Sequence, residues 1–414
     1  MTLPEDFIRE TRLLMGEARF NRFIGAFDEE APVSIRINPL SAAWQCQAAD
    51  KVPWCPEGFY LSGRPQFTFD PLFHAGCYYV QEAASMFITH VLRSVTEGRF
   101  FCDIASDVTK EPSLCYTLDL CAAPGGKSTA MRTVLPEGSI LVSNEPIPTR
   151  AQILLENITK WGWPDCIVTN NYPRDFRKAK MTFDLILCDV PCSGEGMFRK
   201  DPATISEWSL QNVEKCWRLQ REIVADAWEC LNPGGILIYS TCTYNIKENE
   251  ENVRWILDTY DAEPLTIPTD PSWNITGSLL PGFDAPVYRF IPGITRSEGL
   301  FLCALRKPTP ILSPRERRLI TPANLSKLKC IQPPSLGEGM EVGISYSDAL
   351  RYLRGEALVL PPDTPRGIVT VTYRGVPLGP VKNIGPRANN LYPKPWRIKT
   401  THLPTEPVKI LTIQ

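Results

Sequence analysis

Histidine is scarce in this chain: His74, His90 and His402 are the only three in 414 residues. No Cys-X-X-Cys pair occurs among the 14 cysteines, so a zinc site would need ligands at unusual spacing and no metal is expected. Histidine-assisted catalysis is disfavoured for the same reason, and each histidine reads as a structural or surface residue. No apolar run approaches the roughly 20 residues needed to cross a bilayer. The longest, such as 183–190 and 235–239, are strand-sized, which excludes a membrane-spanning helix. The opening MTLPEDFIRETRLLMGE lacks both the basic start and the apolar centre of a secretion signal, so a cytoplasmic location is expected. There is no internal repeat, no low-complexity tract and no heptad or self-complementary apolar stripe, and a monomer is the default expectation.

What is present suits a globular chain. Hydrophobic residues make up 43% and charged residues 22%, enough for real cores, and 414 residues exceed what one core normally supports. Cys121, Cys188 and Cys303 sit in apolar strand-like runs, where a reduced thiol acts as a small hydrophobe. The net charge of −2 is unevenly spread. From Arg366 onward, eight Lys or Arg face Glu406 alone, a net +7, while the preceding residues carry −9. A basic tail with Tyr392 and Trp396 interleaved among its charges suggests a module that meets a polyanion, although a solvated basic face fits the charge equally well.

Four segments are expected. Residues 1–95 open with helical periodicity and continue as short β-like pieces such as VSIRIN, giving a small α+β N-terminal domain. Residues 96–114 are polar and irregular, an insertion or linker. Residues 115–308 alternate apolar strands (YTLDLC, ILVSNE, CIVTN, FDLILCD, GGILIYST) with helical stretches, the pattern of an α/β domain with a mostly parallel sheet. Residues 309–414 are Pro-rich and then strand-like, a β-rich basic module.

In such sheets ligands sit at the carboxyl ends of the strands. The first strand runs into DLCAAPGGKST, where small residues and glycines let backbone approach a ligand and a helix N-terminus point at it. The spacing is neither G-x-G-x-x-G nor that of a Walker loop, which disfavours dinucleotide dehydrogenases and P-loop enzymes. Glu145 ends the second strand, about 20 residues beyond the glycines, where an acid can accept both ribose hydroxyls of a nucleoside. The fourth strand ends in CDVPCSGEGMFRKDP and the fifth in YSTCTYNIKENEENV. Asp189, Cys192 and Cys242 therefore converge on one edge, with Ser193–Gly196 as a flexible link. The two thiols follow Pro191 and Thr241 in loop-like positions, where a thiol can be exposed and activated.

These motifs resemble the RNA cytosine-5 methyltransferases of the NOL/NOP/Sun group, in particular bacterial ribosomal RNA enzymes with a C-terminal PUA-like module. The resemblance runs through DLCAAPGGKST, SNEP, FDLILCDVPCSGEGMFRKDP and LNPGGILIYSTCTYNIKENEENV, and extends more weakly to YYVQEAASM and NNLYPKPWRIK. It implies a Rossmann-like class I methyltransferase domain between the α+β and PUA-like domains, with S-adenosylmethionine as cofactor. Cys121, Ala122, Ala123, Pro124, Gly125, Gly126 and Lys127 match the cofactor loop, Glu145 the ribose-binding acid, and Asp189 an aspartate shared between cofactor and base. Cys242 matches the nucleophile and Cys192 the residue that releases product as a base. One position departs: Tyr172 falls where the family often has an aspartate near the donor's adenine, with Asn170, Asn171 or Asp175 as substitutes. The implied partner is RNA, above all small-subunit ribosomal RNA or an assembling subunit.

Carbon 5 of cytosine is too weak a nucleophile to attack a methyl sulfonium directly, and a thiolate added at carbon 6 removes that difficulty. An amino-group methyltransferase would show an Asn/Asp-Pro-Pro-aromatic motif where this sequence has DVPC. A transfer RNA substrate and a non-catalytic RNA-binding assembly factor are the alternatives, the second opposed by retention of both cysteines, Asp189 and Glu145. Because a stacked base hides carbon 6, binding energy must come from elsewhere. Arg199 and Lys200 beside the site fit phosphate contacts or surface charges equally well, and Arg36 and Asn38 in SIRINP match an N-terminal pattern of the family that suits a buried structural role equally well.

Overall fold

A computed structural model describes residues 2–41, 43–46, 50–97, 115–309, 322–334, 340–400 and 402–413. The expected insertion at 96–114 lies outside the described residues apart from 96 and 97, which end a helix. The centre is a sheet whose strands run, in order, Glu263–Leu265, Leu300–Arg306, Leu231–Thr241, Phe183–Asp189, Tyr116–Asp119, Ile140–Asn144, Cys166–Thr169 and Cys330–Ile331. The five strands from Leu231 to Cys166 are parallel, and the flanking ones antiparallel.

Alternation along the strands explains why both faces are covered. Leu185, Leu187, Ile236 and Ile238 enter one core, while Ile186, Cys188, Leu237 and Tyr239 enter the other. Near-continuous apolar strands of this kind need helices on each side. The helix Pro148–Trp161 shows how they are delimited: proline supplies its first residue and Gly162, at φ 74°, ends it. The chain leaves the first strand in one direction and returns on its other side as the fourth. The switch point therefore falls between Asp119 and Asp189, where a crevice opens at the strand ends.

The N-terminal residues divide among three cores. Helices Glu5–Met15 and Glu17–Gly25 pack Phe7, Phe20 and Phe23 against Phe198, Trp208, Tyr244 and Ile291. A sheet of Gly58–Leu61, Val33–Ile37 and Tyr78–Val80 shares its core with the C-terminal module. Helix Phe87–Glu97 buries Phe87, Val91 and Leu92 within the central domain. The C-terminal module has a four-stranded sheet (Glu341–Gly343, Gly367–Tyr373, Val376–Asn383, Ala388–Asn390) covered by helix Tyr346–Leu353. Its last strand, Leu411–Ile413, pairs with Trp44–Cys46, so the C-terminal end of the described chain closes on the N-terminal residues.

Of the tail's cations, Arg366, Arg374, Lys382, Arg387, Lys394, Lys399 and Lys409 are exposed. Tyr392 and Trp396 correct the sequence reading: they pack with Tyr352 in the module's core and are not surface rings among charges. Among the described residues no helix is long and apolar enough to cross a membrane.

Phe23 touches Phe7, Phe20, Phe27 and Tyr244 and is fully buried. Phe23→Ala removes a large core ring and is expected to cost about 3–5 kcal/mol. The measurement is chemical denaturation followed by tryptophan fluorescence.

Candidate active site

The turn after the first strand is shaped by packing. Gly125 has φ 111°, a left-handed value costly for any residue with a Cβ, and a Cβ there would meet Leu154 at 3.1 Å. At Gly126 a Cβ would press on Tyr79 at 3.3 Å. The turn therefore lies flat against a cleft of about 160 Å³ whose walls include Asp119, Cys121, Ala122, Ala123, Pro124, Gly126, Lys127 and Asp189. The opposite wall, Tyr79–Glu82 and Ser85, comes from the N-terminal sheet and the loop after it. Asp119, Gln81 and that whole wall were missed by sequence reasoning. The available signal for Asp119 was a lone charge ending an apolar strand.

Two buried polar atoms at this cleft lack hydrogen-bond partners. Asp119 receives Ser128 Oγ at 2.6 Å on Oδ2, while its Oδ1 is unpartnered, as is Gln81 Nε2. Burial pushes the Asp119 carboxyl up to about 7. An unpaired acceptor and an unpaired donor on one cleft suit a zwitterionic ligand, its ammonium on Asp119 and its carboxylate on Gln81. The amino-acid end of S-adenosylmethionine has that chemistry, so the residues present fit the donor.

Asp189 and Lys127 form an ion pair at 2.8 Å, and Ser240 Oγ donates to the other carboxylate oxygen at 2.5 Å. Burial is the largest influence on the Lys127 ammonium and pulls it down, but the charge and hydrogen bond of Asp189, with the nearby Cys242 and Asp119, together leave the group raised. Just beyond, Cys192 Sγ and Cys242 Sγ lie 3.1 Å apart. Hydrogen bonding to Cys242, then burial and the neighbouring charge, hold the Cys192 thiol well above its ordinary range. Cys121 is likewise raised by burial and serves as wall.

The Ser193–Gly196 link proves tightly bound, correcting the expectation of flexibility. Glu195 is 2% exposed. It accepts the Tyr244 amide at 2.6 Å, the Asn245 amide at 3.1 Å and Trp208 Nε1 at 3.0 Å. Gly196 N donates to Cys242 O at 2.8 Å, and a Cβ at Gly196 would stand 2.7 Å from that oxygen. Glu248 accepts from the Ser193 amide at 3.0 Å, Gln220 Nε2 at 2.7 Å and Asn245 Nδ2 at 2.8 Å. Burial, then the Glu195 charge, push its carboxyl up to about 7. Two buried acids thus lash the loop of one cysteine to the loop of the other.

Not every anticipated residue joins this group. Glu145 follows the second strand, 1% exposed, with the Ile147 amide on Oε1 at 2.9 Å and Arg150 at 3.6 Å from Oε2, and it does not line the cleft. Tyr172 is 57% exposed, while Asp175 caps its own helix through the Tyr172 amide. Asn170 and Asn171 are both bound to Lys329. Arg199 is no free phosphate contact: its side chain is 6% exposed and pairs with Glu298 at 3.2 Å, whereas Lys200 is exposed. Arg36 is fully buried, bonded to Gln81 and Thr129, with its guanidinium 4.3 Å from the Trp161 ring centroid. Asn38 donates to Gly76 O and Trp161 O, so both are joints between the N-terminal sheet and the central domain. His74 is a buried structural residue whose imidazole is pulled down to about 3 by burial and by Lys160. Among the described residues no group of three metal-ligating side chains is close enough to hold an ion.

The fold is that of a methyltransferase domain, a mostly parallel central sheet with a cleft at its switch point. Residues 110–306 match the family described as 16S rRNA methyltransferase RsmB/F. Residues 3–83 match the N-terminal domain of 16S rRNA methyltransferase RsmF, and residues 340–398 the methyltransferase RsmF PUA domain. The ribosomal RNA small subunit methyltransferase F of Cronobacter sakazakii is 31% identical, the alignment covering 93% of this chain and 81% of that protein. The proteins of the same name from Serratia proteamaculans and Pectobacterium carotovorum are each 33% identical over 74% and 75% of the chain, which spans about 63% of those longer relatives. The chain belongs to the 16S rRNA methyltransferase RsmB/F family. Among solved structures, a methyltransferase homolog from Pyrococcus horikoshii aligns with TM-score 0.56 at 24% identity, covering 74% of this chain and 100% of that one. NSun6 from the same organism, solved with SFG, aligns with TM-score 0.57 at 19% identity over 74% and 99%. At these identities both speak to the fold alone.

An unfolded aspartate ionises near 4, so between roughly pH 4 and 7 the folded chain keeps a proton on Asp119 that the unfolded chain has released. This group's contribution to stability is therefore lost as pH rises through that window. Asp119→Asn, which does not titrate, is expected to gain in melting temperature relative to the parent as pH rises from about 4.5 to about 7.5. A pH-independent difference would contradict the burial-driven shift.

Proposed function

We propose that this chain methylates carbon 5 of a cytosine in 16S ribosomal RNA, through a transient bond between Cys242 and carbon 6 of the base. The observation that carries the reading is the contact of two thiols, 3.1 Å apart, beside an aspartate–lysine ion pair at the donor cleft. S-adenosylmethionine, when bound, supplies a methyl group made electrophilic by its sulfonium. Asp119, Gln81, the Cys121–Lys127 turn and Asp189 would hold it. The family and the names of its members support ribosomal RNA as substrate, and such chemistry belongs in the cytoplasm.

Cys242 adds its sulfur to carbon 6, and the electron pair displaced through the ring makes carbon 5 nucleophilic. The ring nitrogen takes up a proton from solvent, and Asp189, fixed between Lys127 and Ser240, accepts the hydrogen bond it then makes. Carbon 5 then accepts the methyl group while still carrying its hydrogen. Removal of that hydrogen as a proton restores the double bond and expels the Cys242 sulfur. Cys192 takes it, and its contact with the Cys242 sulfur sets the timing. While Cys242 is free, the Cys192 proton is held by the neighbouring sulfur. Once that sulfur is bonded to carbon, the hydrogen bond and the charge both vanish, the Cys192 thiol gives its proton to solvent, and the thiolate left behind takes the proton from carbon 5.

Cys242→Ala is expected to drop methyl transfer by at least about 10³-fold. Cys192→Ala is expected to accumulate an RNA–protein adduct that survives denaturing electrophoresis. Turnover by the first variant, or normal product release by the second, would reverse the assignment.

A further inference from the structure

A groove of about 680 Å³, unused by this mechanism, runs where the N-terminal sheet meets the C-terminal module. That is within the roughly 300–1,000 Å³ of sites that take small organic molecules. Its walls include Arg64, Phe69, Phe73, Val80 and Lys399. Val80 also lines the donor cleft, so the strand Tyr78–Val80 borders both cavities.

Three features indicate its occupant. First, charge: Arg64 and Lys399 are exposed, one from each module, and no acid lines the groove among the described residues. Neither cation forms an ion pair with a described residue, so both remain available to an anion. Second, aromatic surface: Phe69 and Phe73 are only partly buried, leaving ring area to the groove. Third, rigidity: Tyr346 of the module donates to Phe69 O at 3.0 Å, and Phe73 packs on Phe67 and Tyr78, so the walls are preformed. Unpaired phosphate-binding cations over aromatic surface are how proteins hold single-stranded nucleic acid.

We infer that this groove holds unpaired nucleotides of the RNA substrate beside the target, their phosphates on Arg64 and Lys399 and their bases against Phe69 and Phe73. The inference rests on the RNA substrate proposed above and adds where a neighbouring stretch of that RNA lies. It also accounts for closure of the N-terminal sheet onto the C-terminal module: each supplies one lip.

The test is filter binding of the full chain to protein-free 16S ribosomal RNA transcript across a salt series, with methyl transfer from labelled donor recorded separately. Arg64→Ala combined with Lys399→Ala is expected to weaken binding at least tenfold and to reduce the log–log salt slope by about 2. Arg64→Lys combined with Lys399→Arg should retain most of the affinity and slope, which a merely misfolded variant would not. Phe69→Ala should weaken binding roughly 5-fold or more without changing the slope. Binding within twofold of the parent and an unchanged slope in the double alanine variant would overturn the inference. So would a defect seen only on assembled subunits and absent on naked RNA, which would assign the groove to a protein partner. Failure of the parent chain to methylate cytosine would count against the proposed function and leave the binding result to judge the groove.

Discussion

Two sulfur atoms held 3.1 Å apart on different loops are the constraint around which the rest of the protein is organised. Loops at strand ends do not stay in register unaided. Here Glu195 takes the amides of Tyr244 and Asn245, just past Cys242, and Glu248 takes the amide of Ser193, next to Cys192. Each acid is buried, so its hydrogen bonds are worth more than at a surface, and each would be costly to leave unmet. Gly196 removes the one side-chain atom that would push the loops apart. Arg289 adds a further tie, bonded to Tyr244 O at 2.7 Å and paired with buried Glu250.

The modules outside the central domain serve the same end from a distance. The first two helices press an aromatic cluster onto Phe198 and Tyr244, behind the paired loops. The N-terminal sheet supplies the far wall of the cleft at the switch point, and buried Arg36 and Asn38 join it to the central domain. The C-terminal module closes against that sheet. Three cores that share the N-terminal residues thus make the catalytic geometry a property of the whole chain.

Much of this was legible in the sequence, for identifiable reasons. The parallel sheet followed from buried strands such as FDLILCD, whose apolar continuity has few other structural meanings. Cys192, Cys242, Asp189 and Lys127 stood in motifs that end strands, and topology alone brings strand ends together. What was hidden depends on partners distant in sequence. Gln81 looks like an ordinary polar residue until the sheet carries it to the first-strand turn. Glu195 sits in a glycine-rich stretch that reads as flexible, yet burial against Trp208 and two backbone amides makes it a clamp. Tyr392, Trp396 and Arg199 misled for the converse reason: composition places aromatics and cations near an RNA enzyme's surface, and only packing shows them turned inward.

The central claim is that the sulfur of residue 242 bonds to carbon 6 of the target base. It is tested most directly with RNA carrying 5-fluorocytosine, because fluorine cannot leave carbon 5 as a proton and the methylated adduct cannot resolve. Mass spectrometry of the digested complex should find the methylated fluorocytosine nucleotide attached to Cys242. Attachment to Cys192, or methylation of ordinary RNA with no adduct formed on the fluorinated substrate, would contradict the account.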